Sequence, residues 1–245
     1  MLMSHLIIKN INKSFGNHAV LKNLSLTVND GEFVSILGPS GSGKSTLFRL
    51  IGGISLPDNG DIYLNEVKIN GRRGSISYMP QSPALLPWRN ILKNVVLGAE
   101  LQGPYDTKIA LQMIERAGLK GYEHHYPHEL SGGMQQRVSF IRALLSPQKF
   151  MCLDEPFSAL DEFTRLDMQK WLMDVWSEYR RSILFVTHNI EEAIFLSDRI
   201  IILSERPATV KHEFVIPFPR PRHEGLLLTE EFLHFKKKVY EKMQK

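Results

Sequence analysis

Hydrophobic and polar positions change rhythm twice along this chain, and the changes outline its parts. Short apolar bursts open it: Leu6-Ile7-Ile8, then Val20-Leu21 and Leu24-Ser25-Leu26-Thr27-Val28, punctuated by Gly16-Asn17 and Asn29-Asp30-Gly31. Bursts of this length between turn residues predict a small antiparallel sheet. Residues 32–37 are apolar and partly β-branched and predict a buried strand, while residues 47–51 read as the start of a helix. Pro57-Asp58-Asn59-Gly60 is a turn, followed by 61–64 and 67–69 as a hairpin that extends the antiparallel sheet. Residues 75–79 form a further strand running into Pro80-Gln81.

From about Ser82 to Pro147 the texture turns helical. Ile109, Met113, Ile114 and Ala117 fall on one face of a helix closed by Gly118. Val138, Ile141, Leu144 and Leu145 do the same in a helix opened by Ser131 as N-cap and stopped before Pro147. Strands then return at 149–153, 182–187 and 199–203. Between them lie a long amphipathic helix, with Phe163, Leu166, Trp171, Val175 and Trp176 as its core side, and a helix near 190–196. Strands alternating with helices imply a parallel sheet with right-handed crossovers, the helical block being an insertion. After Ser204 the chain is proline-punctuated to Arg222, then helical from Thr229, with Glu230 and Glu231 early and lysines at 236–238 late, the order a helix dipole favours.

Bulk properties add limits. A chain of 245 residues can bury a full core. The net charge of +4 comes without a single-sign block, so no nucleic-acid partner is expected. Cys152 is the only cysteine, which rules out an intrachain disulfide. No apolar run approaches the ~18 residues of a membrane span, and the N-terminus lacks a signal-peptide layout. The expected place is therefore cytoplasmic, with membrane contact made through a partner.

Chemistry begins at Gly38-Pro39-Ser40-Gly41-Ser42-Gly43-Lys44-Ser45-Thr46, which fits the phosphate-loop pattern G-x-x-x-x-G-K-[ST] between a strand and a helix. Glycines let the backbone approach a phosphate, and the N–H groups at the helix start point at the anion. Lys44 adds a positive charge for the β/γ-phosphates, and the Ser45 hydroxyl can ligate Mg²⁺. A Gly/Ser-rich linker is the competing reading, and the strand–loop–helix context disfavours it. Residues 150–153 run into Asp154-Glu155, an acidic pair at the end of a buried strand. Asp154 can hold the metal through water, and Glu155 can orient and deprotonate the attacking water.

Leu130-Ser131-Gly132-Gly133-Met134-Gln135-Gln136-Arg137 offers small residues and a hydroxyl at a second helix N-terminus, hence a second anion-binding surface. This stretch resembles the signature motif of ATP-binding cassette (ABC) proteins, and the resemblance extends over nearly the whole chain in that family's order. It implies an α/β P-loop NTPase of the ABC ATPase type: a RecA-like parallel-sheet core, an N-terminal antiparallel β-subdomain and an inserted α-helical subdomain. The implied division of the single domain 1–245 is 1–81 and 149–204 for the nucleotide-binding core with its β-subdomain, 82–148 for the helical insertion, and 205–245 for a short C-terminal extension.

The resemblance also assigns roles. Ser131, Gly132, Gly133 and Gln135 contact the ATP held by another subunit's phosphate loop. Asp161, in Ser158-Ala159-Leu160-Asp161, belongs to the loop that couples the two ATP sites. Gln81 reaches the metal and attacking water, and His188 contacts the γ-phosphate. Phe15 stands where the family stacks an aromatic on adenine, usually tyrosine, and a phenylalanine keeps the π-face. Structural readings compete for His188, as for any lone histidine, and for Phe15 as a core residue. His124, His125 and His128 invite a metal-site reading, but Pro127 breaks the helix that would align them and no nearby acidic cluster completes a set.

Leu85-Leu86-Pro87-Trp88-Arg89-Asn90 resembles the nitrate/sulfonate/taurine importer subfamily, as does Arg206-Pro207, although Ala208 stands where a glycine is common. Leu85, Leu86 and Trp88 are then expected as exposed contacts for a membrane subunit, the alternative being that Trp88 packs the helical block. The expected function is an ATPase subunit powering import of a small solute, with ATP and Mg²⁺. Its expected partners are a second copy or a paralogue, membrane permease subunits and, indirectly, an extracytoplasmic solute-binding protein, with the chain on the cytoplasmic face of the membrane. A soluble ABC ATPase of DNA repair or translation is the alternative. The helical block, about 65 residues, is too short for the coiled-coil insertions of repair ATPases, and one cassette does not make a translation protein.

Overall fold

A computed structural model describes residues 4–244. Strands β1 (Ser4–Phe15) and β2 (His18–Asn29) pair antiparallel around the Gly16-Asn17 turn. Strand β3 (Phe33–Leu37) leads through the glycine-rich loop into α1 (Lys44–Ile51). The expected hairpin follows as β4 (Asn59–Leu64) and β5 (Val67–Lys68), completing a four-stranded sheet of order β2-β1-β4-β5. Next come β6 (Ser77–Met79) and the helical block: α2 (Ile91–Val95), α3 (Leu97–Glu100), α4 (Thr107–Arg116) and α5 (Gly132–Leu145). The rest alternates: β7 (Phe150–Asp154), α6 (Glu162–Tyr179), β8 (Ser182–Val186), α7 (Ile190–Leu196) and β9 (Arg199–Leu203). Strand β10 (Val210–Val215) and α8 (Glu230–Gln244) close it.

The large sheet has order β10-β9-β3-β8-β7-β6 and is parallel except for β10, which runs antiparallel to β9. Its central strands are unbroken apolar runs because both faces are covered. Alternation then splits each strand between two cores. Met151, Leu153, Ile183 and Phe185 face the layer holding α2, α4, α5 and α6. Phe150, Cys152, Leu184 and Val186 face α1 and the small sheet. α1 is thus sandwiched between two sheets. The third core joins β9, α7 and α8, with Phe232 and Val239 of α8 fully buried.

Two expectations need correction. Phe163 is 85% exposed and Leu166 half-buried. The buried stripe of α6 runs through Met168, Trp171, Leu172, Val175 and Trp176, and at about 100° per residue Phe163 lies on the opposite side. Ile109 is exposed because α4 buries Ala110, Met113, Ile114 and Ala117, one position round from the expected face. The segment after Ser204 also carries β10, which supplies the sheet's antiparallel edge.

Candidate functional site

Because β3, β6, β7 and β8 are parallel, their carboxyl ends share one edge, and the loops leaving them meet there. After β3 the loop folds back tightly. Gly43 has φ 107°, and a Cβ there would sit 2.9 Å from both Leu21 Cδ2 and Val20 Cγ1. Lys44 curls over the loop, its Nζ donating to the carbonyls of Gly38 and Pro39 at 2.8 Å each. Burial lowers its pKa, while Glu155 and Asp154 pull it back up. Among the described residues the buried Ser42 Oγ has no hydrogen-bond partner. A cation without a paired carboxylate and an orphaned hydroxyl, at a helix N-terminus, fit an anionic phosphate.

β7 delivers Asp154 and Glu155 to the same edge. Burial raises the Asp154 pKa, and a bond from the Ser45 hydroxyl works against that rise. Glu155 turns out of the strand at φ 49°, its N–H donating to the Val186 carbonyl at 2.9 Å. Two side chains converge on its Oε2: Gln81 Nε2 donates at 3.1 Å, and His188 Nδ1 lies 3.4 Å away. Gln81, Lys44, Ser45, Asp154, Glu155 and His188 are therefore one constellation. Phe15, at the β1–β2 turn, is half exposed and not in the core, with Lys13 Nζ 5.4 Å from its ring centroid.

The signature stretch presents itself outward. Ser131 caps α5 by accepting from the Met134 N–H at 3.3 Å, and a Cβ on Gly132 would meet nothing within 4 Å. Gly133 sits against the next loop, where a Cβ would come within 3.3 Å of the Ala159 carbonyl and Leu160 Cδ2. Asp161 ends that loop and caps α6, accepting from the Thr164 N–H at 3.0 Å. Gln135 behaves differently from its neighbours: its Nε2 donates to the carbonyls of Pro127 and Leu130, bracing the turn ahead of the helix. Among the described residues no group of three or more His, Cys, Asp or Glu is placed to hold a metal.

Trp88 is 71% exposed and so does not pack the helical block. Leu85 and Leu86, expected to be equally open, are half-buried, Leu85 against the main core. Their loop is held from two sides. Buried Asn94 donates from Nδ2 to the carbonyls of Leu86, Arg89 and Asn90 and accepts from the Leu86 N–H. Arg142 of α5 donates to the carbonyls of Pro83 and Ala84 at 2.8 and 2.9 Å.

Sequence reasoning missed several polar anchors. Gln136 is buried and donates from Nε2 to the Glu155 carbonyl at 3.2 Å. Glu192, buried in α7, accepts from Thr187 Oγ1 and from Gln169 Nε2, while Thr187 Oγ1 accepts from the Asn189 N–H. Proximity to His188 is the only signal that could have pointed to Glu192.

Known proteins agree with this architecture. The family model described as ABC transporter matches residues 21–158. An uncharacterized ABC transporter ATP-binding protein of Methanocaldococcus jannaschii is 40% identical over 239 residues, covering 95% of this chain and 88% of that protein. A formylaminopyrimidine import ATP-binding protein of Halalkalibacterium halodurans is 46% identical over 202 residues, 81% of this chain and 78% of its own length. A nitrate import ATP-binding protein of Synechocystis sp. is 40% identical over 224 residues, covering 88% and 84%. Among solved structures, a dimeric bacterial ABC transporter cassette superposes with a TM-score of 0.79 at 33% identity, covering 87% of this chain and all of the other. A phosphate loop, an acidic pair and an outward-facing signature helix on this sheet define an ATP-binding cassette. The chain belongs to the ABC transporter family.

Proposed function

We propose that this chain is the ATP-binding and ATP-hydrolysing subunit that powers a membrane importer for a small solute of the nitrate, sulfonate, taurine or thiamine-precursor type. The observation that carries the catalytic half is the convergence of Gln81 and His188 on one oxygen of Glu155, beside an Asp154 bonded to Ser45. That arrangement leaves Glu155 able to orient and deprotonate a water aimed at the γ-phosphorus. Residues 38–46 hold the phosphates and Phe15 stacks on adenine. Ser45, Asp154 and Gln81 would hold Mg²⁺, their oxygen donors suiting a hard cation that takes the rest of its shell from phosphate and water. When bound, the ion supplies charge neutralisation on the β- and γ-phosphates.

Ser131, Gly132 and Gly133 face away from their own chain, which supports a head-to-tail pair in which each copy, or a paralogue, covers the other's ATP. Asp161 lies beside that surface. Gln135 enters the reading only as a brace for it. Leu85, Leu86 and Trp88 meet the permease, Trp88 as the anchor and the two leucines as its packed base. The working division is 1–81 with 149–204, an insertion 82–148, and 205–245. Among the described residues no helix is long and apolar enough to cross a membrane, so attachment at the cytoplasmic face runs through the permease. The importer reading is supported by relatives named for import of formylaminopyrimidine, taurine and nitrate.

The test is Glu155→Gln. It should keep ATP affinity, abolish turnover and accumulate an ATP-bound dimer on size-exclusion chromatography. Turnover near wild type would remove Glu155 from its assigned role.

A further inference from the structure

One large cavity shares no lining residue with the ATP site. It measures about 810 Å³ and opens between α6, the end of α7 and residues 220–225. That volume lies within the roughly 300–1,000 Å³ of small-molecule sites. Met173 and Pro221 give it accessible apolar side chains, while Trp176 and Phe195 line it with only 3% and 2% of their surface exposed.

Three guanidinium groups gather in its wall, and only one is matched by a carboxylate. Arg220 donates to Asp198 Oδ1 at 2.7 Å and to the Leu196 carbonyl, its guanidinium carbon 4.1 Å from the Trp176 ring centroid. Arg222 is held by carbonyls alone, those of Ile194, Phe195, Ser197 and Phe218, so it caps the last turn of α7 as a cation should. Arg180, in left-handed backbone at the end of α6, lies 4.7 Å from the same indole. Among the described residues its guanidinium has no carboxylate and no hydrogen-bond acceptor. Of the two acidic residues in the wall, Glu224 pairs with Lys170, itself a lining residue, and the exposed Asp174 lies 4.0 Å from Arg116. Burial and the neighbouring Arg220 push Arg222 down to about 10, and burial also lowers Arg220, with Arg180 adding to the effect. Arg220 and Arg222 are partly withdrawn from water and the exposed Arg180 stands beside them, a cluster of positive charge that favours a counter-anion.

We propose that this cavity binds a small organic anion, its acidic head on the Arg180 guanidinium and its apolar body on Met173 and Pro221. Arg222 has spent its donors on carbonyls, and Arg220 is oriented by Asp198, the Leu196 carbonyl and Met173 Sδ, so both contribute mainly field. Arg180 contributes the planar fork that carboxylates, sulfonates and phosphates accept in pairs. An occupant would tie the end of α6 to residues 220–225 and to the last turn of α7, the helix that begins just past His188.

Isothermal titration of the full chain with 1-hexanesulfonate tests this, with inorganic sulfate and 1-hexanol as the two halves of the probe. Saturable one-to-one binding is expected, at least tenfold tighter than either half. It should weaken at least tenfold in Arg180→Gln and in Ser177→Glu, which places a carboxylate in the wall at an exposed helix position. Binding should be unchanged in Lys44→Ala. No saturable binding, wild-type affinity in either wall variant, or loss in Lys44→Ala, which would move the probe to the phosphate loop, overturns the proposal. Sulfate binding as tightly as hexanesulfonate overturns the role given to the apolar surface.

Discussion

Gln136 allows a quantitative test of how Glu155, the proposed catalytic carboxylate, is held. Glu155 sits at φ 49°, a left-handed conformation that costs a side-chain-bearing residue about 1–2 kcal/mol. Its carbonyl collects the donors that offset this: Gln136 Nε2 at 3.2 Å from α5, and the Ser158 N–H and Oγ at 3.2 and 3.0 Å from the following loop. Gln136→Met keeps length and burial and removes one neutral hydrogen bond, a change of about 1 kcal/mol. The carbonyl stays satisfied by Ser158, so the full penalty of an orphaned buried group does not apply. If that bond holds the reactive conformer, kcat should fall about fivefold, since ~1.4 kcal/mol corresponds to tenfold. KM for ATP should not move, because Gln136 makes none of the phosphate-loop contacts. Ser158→Ala removes a second donor from the same oxygen. The double variant should therefore lose more than the product of the singles, the mark of a shared partner. Steady-state ATPase assays on the four proteins decide it. A kcat within twofold of wild type in Gln136→Met, or a risen KM at constant kcat, would refute the reasoning.

Other expectations are more direct. Trp88→Ala should leave Tm and ATP affinity unchanged, because the side chain is largely exposed, and should weaken co-purification with the permease; unchanged recovery would end its role as anchor. Phe163→Ser should likewise spare Tm but reduce the ATP-dependent dimer measured in a Glu155→Gln background, since this exposed ring stands beside Asp161; an undiminished dimer would place it outside the interface. Burial raises the Glu192 pKa above its ordinary 4.5, so the native state holds the proton that the unfolded chain releases. Its stabilising contribution is complete below 4.5 and is lost as pH rises through the raised value, so the Tm of Glu192→Gln relative to wild type should climb with pH from about 4.5 upward. A difference independent of pH in differential scanning fluorimetry would show that Glu192 does not titrate in that window.

What could be read ahead of the fold depended on whether a residue's job is local. β7 and β8 are unbroken apolar runs because both faces are buried, and Ser131 before a periodic stretch marks a helix start whatever surrounds it. Direction is harder. Ile109 fits the spacing of Met113 and Ala117 and Phe163 is apolar, so both read inward, while the helical phase set by Ala110 and Trp171 turns them out. β10 escaped notice because Val-Lys-His-Glu-Phe-Val lies at a sheet edge, half-buried on most positions, where no polar and apolar faces separate. Gln136 was invisible for a different reason: its partner, Glu155, lies 19 residues away, and nothing nearby in the chain requires an amide. Glu192 bonds Thr187 five residues back, but its other partner, Gln169, is 23 residues away.

The same distinction bears on the ATP site. The phosphate loop is local, and its residues meet Asp154 and Glu155 within one chain. Ser131 and Gly132 belong to a recognisable motif, yet around them the chain supplies only a helix cap and open space. On the proposed reading, two backbone-rich anion surfaces on one chain, one lined by Lys44, Ser45 and the acidic pair and the other bare, are complementary halves. Pairing two copies head to tail brings unlike halves together twice, so the symmetry of the dimer follows from the asymmetry of the monomer.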